Sequence, residues 1–113
     1  MPHAIIEHSG AGRLTVSDQV LADTVFAAMD VAGLFDSEDI KVRVHPVTAS
    51  HNGAADYTFV HVDIRIMPGR TSLQKKDCAR RVADALHALE GGVSSITVEV
   101  NDIDAEVYGK IVV

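Results

Sequence analysis

The sequence contains one cysteine, three prolines and no tryptophan, and only 4% of it is aromatic. The lone thiol, Cys78, has no partner within the chain, so no internal disulfide can form. No apolar run approaches the ~20 residues a membrane span requires. The N-terminus also lacks the basic segment and apolar stretch of a secretory signal. Cytoplasm is therefore the expected compartment, with no membrane partner. Basic residues are scarce as well: 10 Lys and Arg stand against 16 Asp and Glu, for a net charge of −6. Such a surface does not suit nucleic acid, whose phosphates require a basic face. The six histidines are scattered, with no pair three or four apart on a helix, and predict no metal site.

What is present fits one domain spanning residues 1–113. An apolar fraction of 47% in 113 residues supports a single two-layer core and argues against disorder. The stretch D-Y-T-F-V-H-V-D-I-R-I-M-P-G-R, residues 56–70, organises the rest. Thr58, Val60, Val62, Ile64 and Ile66 share one face of a strand, and Phe59, His61, Asp63 and Arg65 share the other. The strand ends at Pro68-Gly69, which sets Arg70 at the mouth of the following helix.

In chain order, His3 to His8 reads as a short strand and residues 9–13 as a turn. Thr15 to Ala32 reads as a helix with Leu21, Val25, Ala28, Met29 and Ala32 on its stripe, capped by Thr15 or Ser17 and stopped by Gly33. Ile40 to Val47 is a strand with Lys41, Arg43 and His45 on its polar face. Thr48 to Ala55 is a loop carrying the turn pair Asn52-Gly53. Thr71 and Gln74 form a capping box for a helix reaching about Glu90, with Cys78, Val82, Ala85, Leu86 and Leu89 inward and Gly91 as its stop. Ser95 to Val100 is a further strand, and Val107 to Val113 an apolar, extended tail.

The two halves repeat. Tyr57 follows His3, and Ser94 follows Ile40, by the same 54 residues, and the five stripe positions of the two helices match at an offset of 57. A strand-helix-strand unit therefore occurs twice, at 2–47 and 56–101, with a tail at 102–113. Gly12-Arg13 and Gly69-Arg70 occupy corresponding turns. The expected fold is α+β: two β-α-β units in one four-stranded mixed sheet with both helices on one face. Periodicity leaves two topologies open. In a ferredoxin-like sheet the second and third strands form a hairpin at Asn52-Gly53; in a tautomerase-like sheet two parallel pairs meet antiparallel.

Pro2 is the sharpest chemical feature. Removal of Met1 would make it a secondary amine, and burial near cations lowers an α-amino pKa from its usual ~7.7–8.0, so the nitrogen could serve as a general base at neutral pH. Arg13 and Arg70, each beside helix-opening amides, are candidate anion contacts. Lys41 and Arg43 share a strand face. Cys78, on the core stripe, reads as packing.

The segments M-P-H-A-I-I-E-H, R-V-H at 43–45, D-Y-T-F-V-H and P-G-R-T-S resemble the 5-carboxymethyl-2-hydroxymuconate isomerase branch of the tautomerase superfamily. The resemblance runs over nearly the whole chain. It implies the tautomerase fold, an inward-facing homotrimer, no cofactor, and the N-terminal proline as proton shuttle in the breakdown of aromatic compounds. By analogy with relatives of about one repeat, such as 4-oxalocrotonate tautomerase, Arg13 matches an arginine in the turn after the first strand, and Arg43 one on the second strand. Lys41 departs from the branch, placing a point charge where a bidentate arginine is often found. The loop from Thr48 to Ala55 is also short for the branch.

The implied activity is isomerisation of a small unsaturated 2-hydroxy di- or tricarboxylate, most like 5-carboxymethyl-2-hydroxymuconate. Pro2 would be catalytic, and Arg43, Arg13, Arg70 and Lys41 would bind substrate. The alternatives are a tautomerase of another enol, such as phenylpyruvate, and a ferredoxin-like module that binds a small ligand without catalysis.

Overall fold

Alternation of apolar and polar side chains from Phe59 to Ile66 buries one face of that strand. Val60, Val62 and Ile64 are 0% exposed and Ile66 1%. The computed structural model describes residues 1–10 and 13–113. The regular elements are β1 (His3–His8), α1 (Asp18–Val31), β2 (Lys41–Pro46), β3 (Phe59–Ile66), α2 (Ser72–Leu89) and β4 (Ser95–Asp102). Short 3₁₀ turns lie at Ser37–Asp39 and Ala105–Val107.

The sheet order is β2-β1-β3-β4. Strand β1 runs parallel to β2 and β3 parallel to β4, while β1 and β3 meet antiparallel with His3 opposite Arg65 and His8 opposite Val60. This is the tautomerase topology. β1 lies between β2 and β3, so Asn52-Gly53 closes no hairpin and the ferredoxin-like alternative falls.

Both helices cover the same face. Leu21, Val25 and Met29 of α1 and Cys78, Val82 and Leu86 of α2 join Ala4, Ile6 and the β3 side chains in one core. Burial of each large aliphatic group contributes about 1.5–3 kcal/mol. Among the described residues no helix covers the opposite face, with Arg43, His61, Asp63 and Arg65, and only the chain after β4 reaches it, through Tyr108. Arg65 pairs with Asp63 at 2.9 Å and His61 approaches Glu99 at 3.2 Å.

The capping box of α2 forms as its sequence requires: Thr71 Oγ1 accepts from Gln74 N–H at 3.1 Å, and Gln74 Oε1 accepts from Thr71 N–H at 2.9 Å. Helix α1 starts later than its periodicity suggests. Ser17 is the cap, accepting from Val20 N–H, and the helix opens at Asp18. Thr15 is claimed by another partner. The buried Glu90 carboxylate accepts from Thr15 N–H at 2.6 Å, from the Thr15 hydroxyl at 2.9 Å and from Val16 N–H at 2.8 Å. This contact ties the lead into α1 to the end of α2. Strand β4 runs two residues past Val100. The chain beyond it turns once at Ala105–Val107 and leaves Val107, Ile111, Val112 and Val113 exposed.

Candidate active site

Four elements end beside Pro2, and the β-α-β order dictates which. A parallel crossover returns the chain to the end of the sheet where it began, so the α1–β2 connection lies next to the start of β1. The antiparallel meeting of β1 and β3 brings the end of β3 and the turn into α2 to the same place. Pro2 is buried there, and its carbonyl accepts from Lys41 N–H at 3.1 Å, continuing the β1–β2 ladder.

A cavity of about 310 Å³ opens over Pro2. Met1, Leu34, Phe35, Ile66, Met67 and Pro68 supply its apolar wall, and Arg70, Asp36 and Asp39 its charged groups. Gly69 makes the turn that delivers Arg70. Its φ of 124° lies in a region other residues rarely adopt. The Arg70 guanidinium donates to the carbonyl of Leu34, which ties the start of α2 to the α1–β2 connection. Its remaining N–H groups meet no carboxylate among the described residues.

The other expected cations lie elsewhere in the protomer. Arg43 is on the helix-free sheet face, where Nη1 donates to His3 Nδ1 at 3.5 Å, and it borders a separate cavity of about 580 Å³ with Asp63, Arg65, Glu99 and Tyr108. Lys41 sits beside Pro2 through its backbone, but Nζ donates to the Glu38 carbonyl at 2.6 Å. Arg13 is at the far end of the sheet, about 20 Å along β1 from Pro2. There it borders a pocket of about 190 Å³ with Ser9, Asn52, Asp56 and Tyr57. Gly12, its partner in the matched turn, lies outside the described residues. Within one chain, then, Arg70 shares the Pro2 cavity and Arg13 and Arg43 do not.

Asp36, Asp39, Leu34 and Phe35 escaped the sequence reading. Their signal was topological: any residue between α1 and β2 must reach the Pro2 end once the crossover is parallel. Among the described residues no group of three or more His, Cys, Asp or Glu is placed to hold a metal ion. Cys78 is buried, and its pKa is raised to about 11 by desolvation first and the neighbouring Asp77 second, which marks it as a packed thiol.

The sequence profile of the 5-carboxymethyl-2-hydroxymuconate isomerase family matches residues 2–109. The chain belongs to that family. Among curated proteins none matches it by sequence. Solved structures similar to this family member include a 5-carboxymethyl-2-hydroxymuconate isomerase from Deinococcus radiodurans R1, with a TM-score of 0.81 and 17% identity over 97% of this chain and 88% of that one. A 5-carboxymethyl-2-hydroxymuconate delta-isomerase gives 0.77 and 20% over 99% and 88%. A fused 4-OT symmetric trimer gives 0.79 and 15% over 96% and 90%. At these identities the structures establish the tautomerase fold of this isomerase-family chain. Family membership supports an isomerase- or tautomerase-type enzyme.

Proposed function

We propose that the protein is a cofactor-independent tautomerase that moves a proton within a small unsaturated 2-hydroxy carboxylate, using Pro2 as base after removal of Met1. The observation that carries the reading is the cavity itself. A buried proline at the second position and an arginine with unclaimed N–H groups face the same 310 Å³ space. With Met1 attached, the Pro2 nitrogen is an amide and holds no basic lone pair. Removal of Met1 frees the amine and vacates volume in the cavity.

In the reaction, the amine lone pair takes the enol O–H proton and leaves a dienolate. The resulting ammonium then returns that proton to a carbon further along the conjugated system. One group serves as base and acid in turn. Arg70 holds the substrate carboxylate and stabilises the negative charge that spreads in the transition state. Local cations matter here, because a protein of net charge −6 otherwise repels an anion.

Sites holding two or three carboxylates call for further cations. Arg13 can reach a Pro2 cavity only from another copy of the chain, and Arg43 only across the helix-free sheet face. A homotrimer supplies that setting. Its support is the helix-free sheet face, the exposed apolar tail and a trimeric neighbour of the same fold. Light scattering at micromolar concentration tests the assembly, and a monomer overturns it.

The catalytic reading is tested by following enol disappearance in the ultraviolet with processed protein, its N-terminus fixed by intact mass, against protein blocked ahead of Pro2. Activity confined to the processed form is expected. Equal activity in both forms overturns Pro2 as the base and assigns the proton transfer to a different residue, and no activity in either form leaves a module that binds a small ligand without catalysis.

A further inference from the structure

Strand β1 ends on a buried histidine: His8 is 3% exposed. Alternation places it with Ala4 and Ile6 on the face the helices cover, where an apolar residue would need no partner. The last buried position of β3 is filled in that way, by Ile66. Both ring nitrogens of His8 are occupied. Nδ1 accepts from Gly10 N–H at 3.1 Å, so the ring proton lies on Nε2, which donates to Asp18 Oδ1 at 2.8 Å. The path continues past Gly10, whose carbonyl accepts from Arg13 N–H at 3.3 Å. A continuous series of hydrogen bonds thus joins the first residue of α1 to the backbone of Arg13.

Neither flanking element depends on this pair. Helix α1 has Ser17 as its cap, and the chain leading into it is held by Glu90. The end of β1 is fixed on both sides: the His8 carbonyl accepts from Val47 N–H at 3.0 Å, and Ser9 N–H donates to the Phe59 carbonyl at 3.2 Å. What the imidazole adds is control of Gly10. That residue has a φ of 109°, and a Cβ there would lie 3.0 Å from the Val47 carbonyl oxygen. The Arg13 side chain is exposed and has no ion-pair partner among the described residues.

We infer that His8 and Asp18 are positioning residues for Arg13. Their hydrogen-bonded pair sets the place from which the guanidinium of one copy of the chain meets a substrate carboxylate in the Pro2 cavity of another. This inference rests on the proposed function, because it takes Arg13 as the further cation that a second carboxylate calls for. A cation on a loose backbone gives up part of its affinity to ordering on binding, and a cation on a fixed one does not.

The test is a coupling measurement on the assembled, mass-verified protein. Titration calorimetry with muconate, which carries two carboxylates, reads affinity apart from turnover. Arg13→Ala should weaken binding about tenfold or more, the worth of one charge-assisted hydrogen bond. His8→Leu should weaken it about fivefold alone and less than about twofold in the Arg13→Ala background, because the pair acts only through that side chain. His8→Asn, whose amide oxygen stands near the place of Nδ1 and can accept from Gly10 N–H, should recover most of the loss. Amide exchange at Gly10 and Arg13 should quicken by about tenfold or more in His8→Leu and much less in His8→Asn. Circular dichroism and light scattering check folding and assembly. If His8→Leu does not fold, Asp18→Ala, at the exposed end of the pair, carries the same comparison. An equal loss from His8→Leu in both backgrounds makes the pair structural and overturns the inference. So does an Arg13→Ala variant that binds muconate unchanged, or failure of the unaltered protein to bind it. If the coupling is absent while the processed protein turns over an enol, the proposed function stands without this pair. If the coupling holds but the processed protein moves no enol proton, the tautomerase reading fails and the positioning of Arg13 stands.

Discussion

His3 and Tyr108, 105 positions apart, are joined by a 2.9 Å hydrogen bond from His3 Nε2 to the tyrosine hydroxyl, with their rings edge-on at 6.3 Å. A guanidinium can only donate, so the Arg43 contact makes His3 Nδ1 the acceptor and leaves the ring proton on Nε2, facing Tyr108. The start of the sheet and the last turn of the chain are thereby tied through a neutral imidazole.

That neutrality predicts a pH dependence. Burial lowers the His3 pKa below 6.5, helped by Arg43, the amino terminus, Arg65 and Lys41. Between the lowered value and 6.5 the unfolded chain binds more protons than the folded one. The contribution to stability is therefore complete above pH 6.5 and is lost as pH falls through that window. Denaturant titrations at pH 7 and pH 5 should show a fall that His3→Gln reduces. Tyr108→Phe should cost about 0.5–1.5 kcal/mol at pH 7, the net value of one hydrogen bond.

Arg70→Ala should slow turnover of an enol carboxylate by about 10²–10³-fold, the cost of one donor to a developing oxyanion. Arg43→Ala should cost less, because its side chain faces the other cavity. Steady-state kinetics on the folded variants decide the order, and a greater loss in Arg43→Ala would move the carboxylate site to the open sheet face.

For Pro2, the profile of kcat/KM against pH should show an ascending limb set by the free amine. Pro2→Ala keeps an amine but a primary, looser one, so a weakened enzyme that still folds is expected. A profile without that limb in processed protein would assign the base elsewhere.

Cys78 should resist iodoacetamide at pH 8. With the thiol pKa near 11 and no exposed surface, the reactive thiolate is both scarce and inaccessible. Mass spectrometry should find labelling only as the protein unfolds in denaturant.

Glu90→Ala should destabilise the fold by about 2–3 kcal/mol, since two backbone N–H groups and a hydroxyl lose their acceptor. Glu90→Gln keeps an oxygen in that place and should cost ~1 kcal/mol or less. Urea midpoints measure both.

The repeat carried most of the fold into the sequence. Two helix stripes and two alternating strands at fixed offsets leave few ways to cover both units, and the capping box at Thr71 marks the start of α2 to the residue. Periodicity left the choice between topologies open, because strand alternation says which face is buried and nothing of which neighbour a strand takes; the resemblance of the Pro2 start and the 56–72 block to the isomerase family pointed to the tautomerase sheet that the structure has. The start of α1 falls at Asp18 rather than near Thr15 for a related reason: Thr15 is drawn away by Glu90, a contact 75 positions distant. A carboxylate at a helix C-terminus opposes the macrodipole, and that mismatch was the available hint. At the site, Pro2 and Arg70 were legible from position and turn chemistry. Asp36 and Asp39 were not, because they come together only through the crossover.

The antiparallel joining of the two units has a last consequence. By the internal repeat, the Arg13 pocket is the counterpart of the Pro2 cavity, and Asp56 stands where Pro2 does. Residue 56 is mid-chain, with a φ of 54° and a peptide nitrogen where the other end can bear a free amine. Fusion of two units into one polypeptide therefore halves the number of possible amine bases per sheet. Under the proposed function one end carries the proton chemistry, and its twin, with no chain terminus, is released from that constraint.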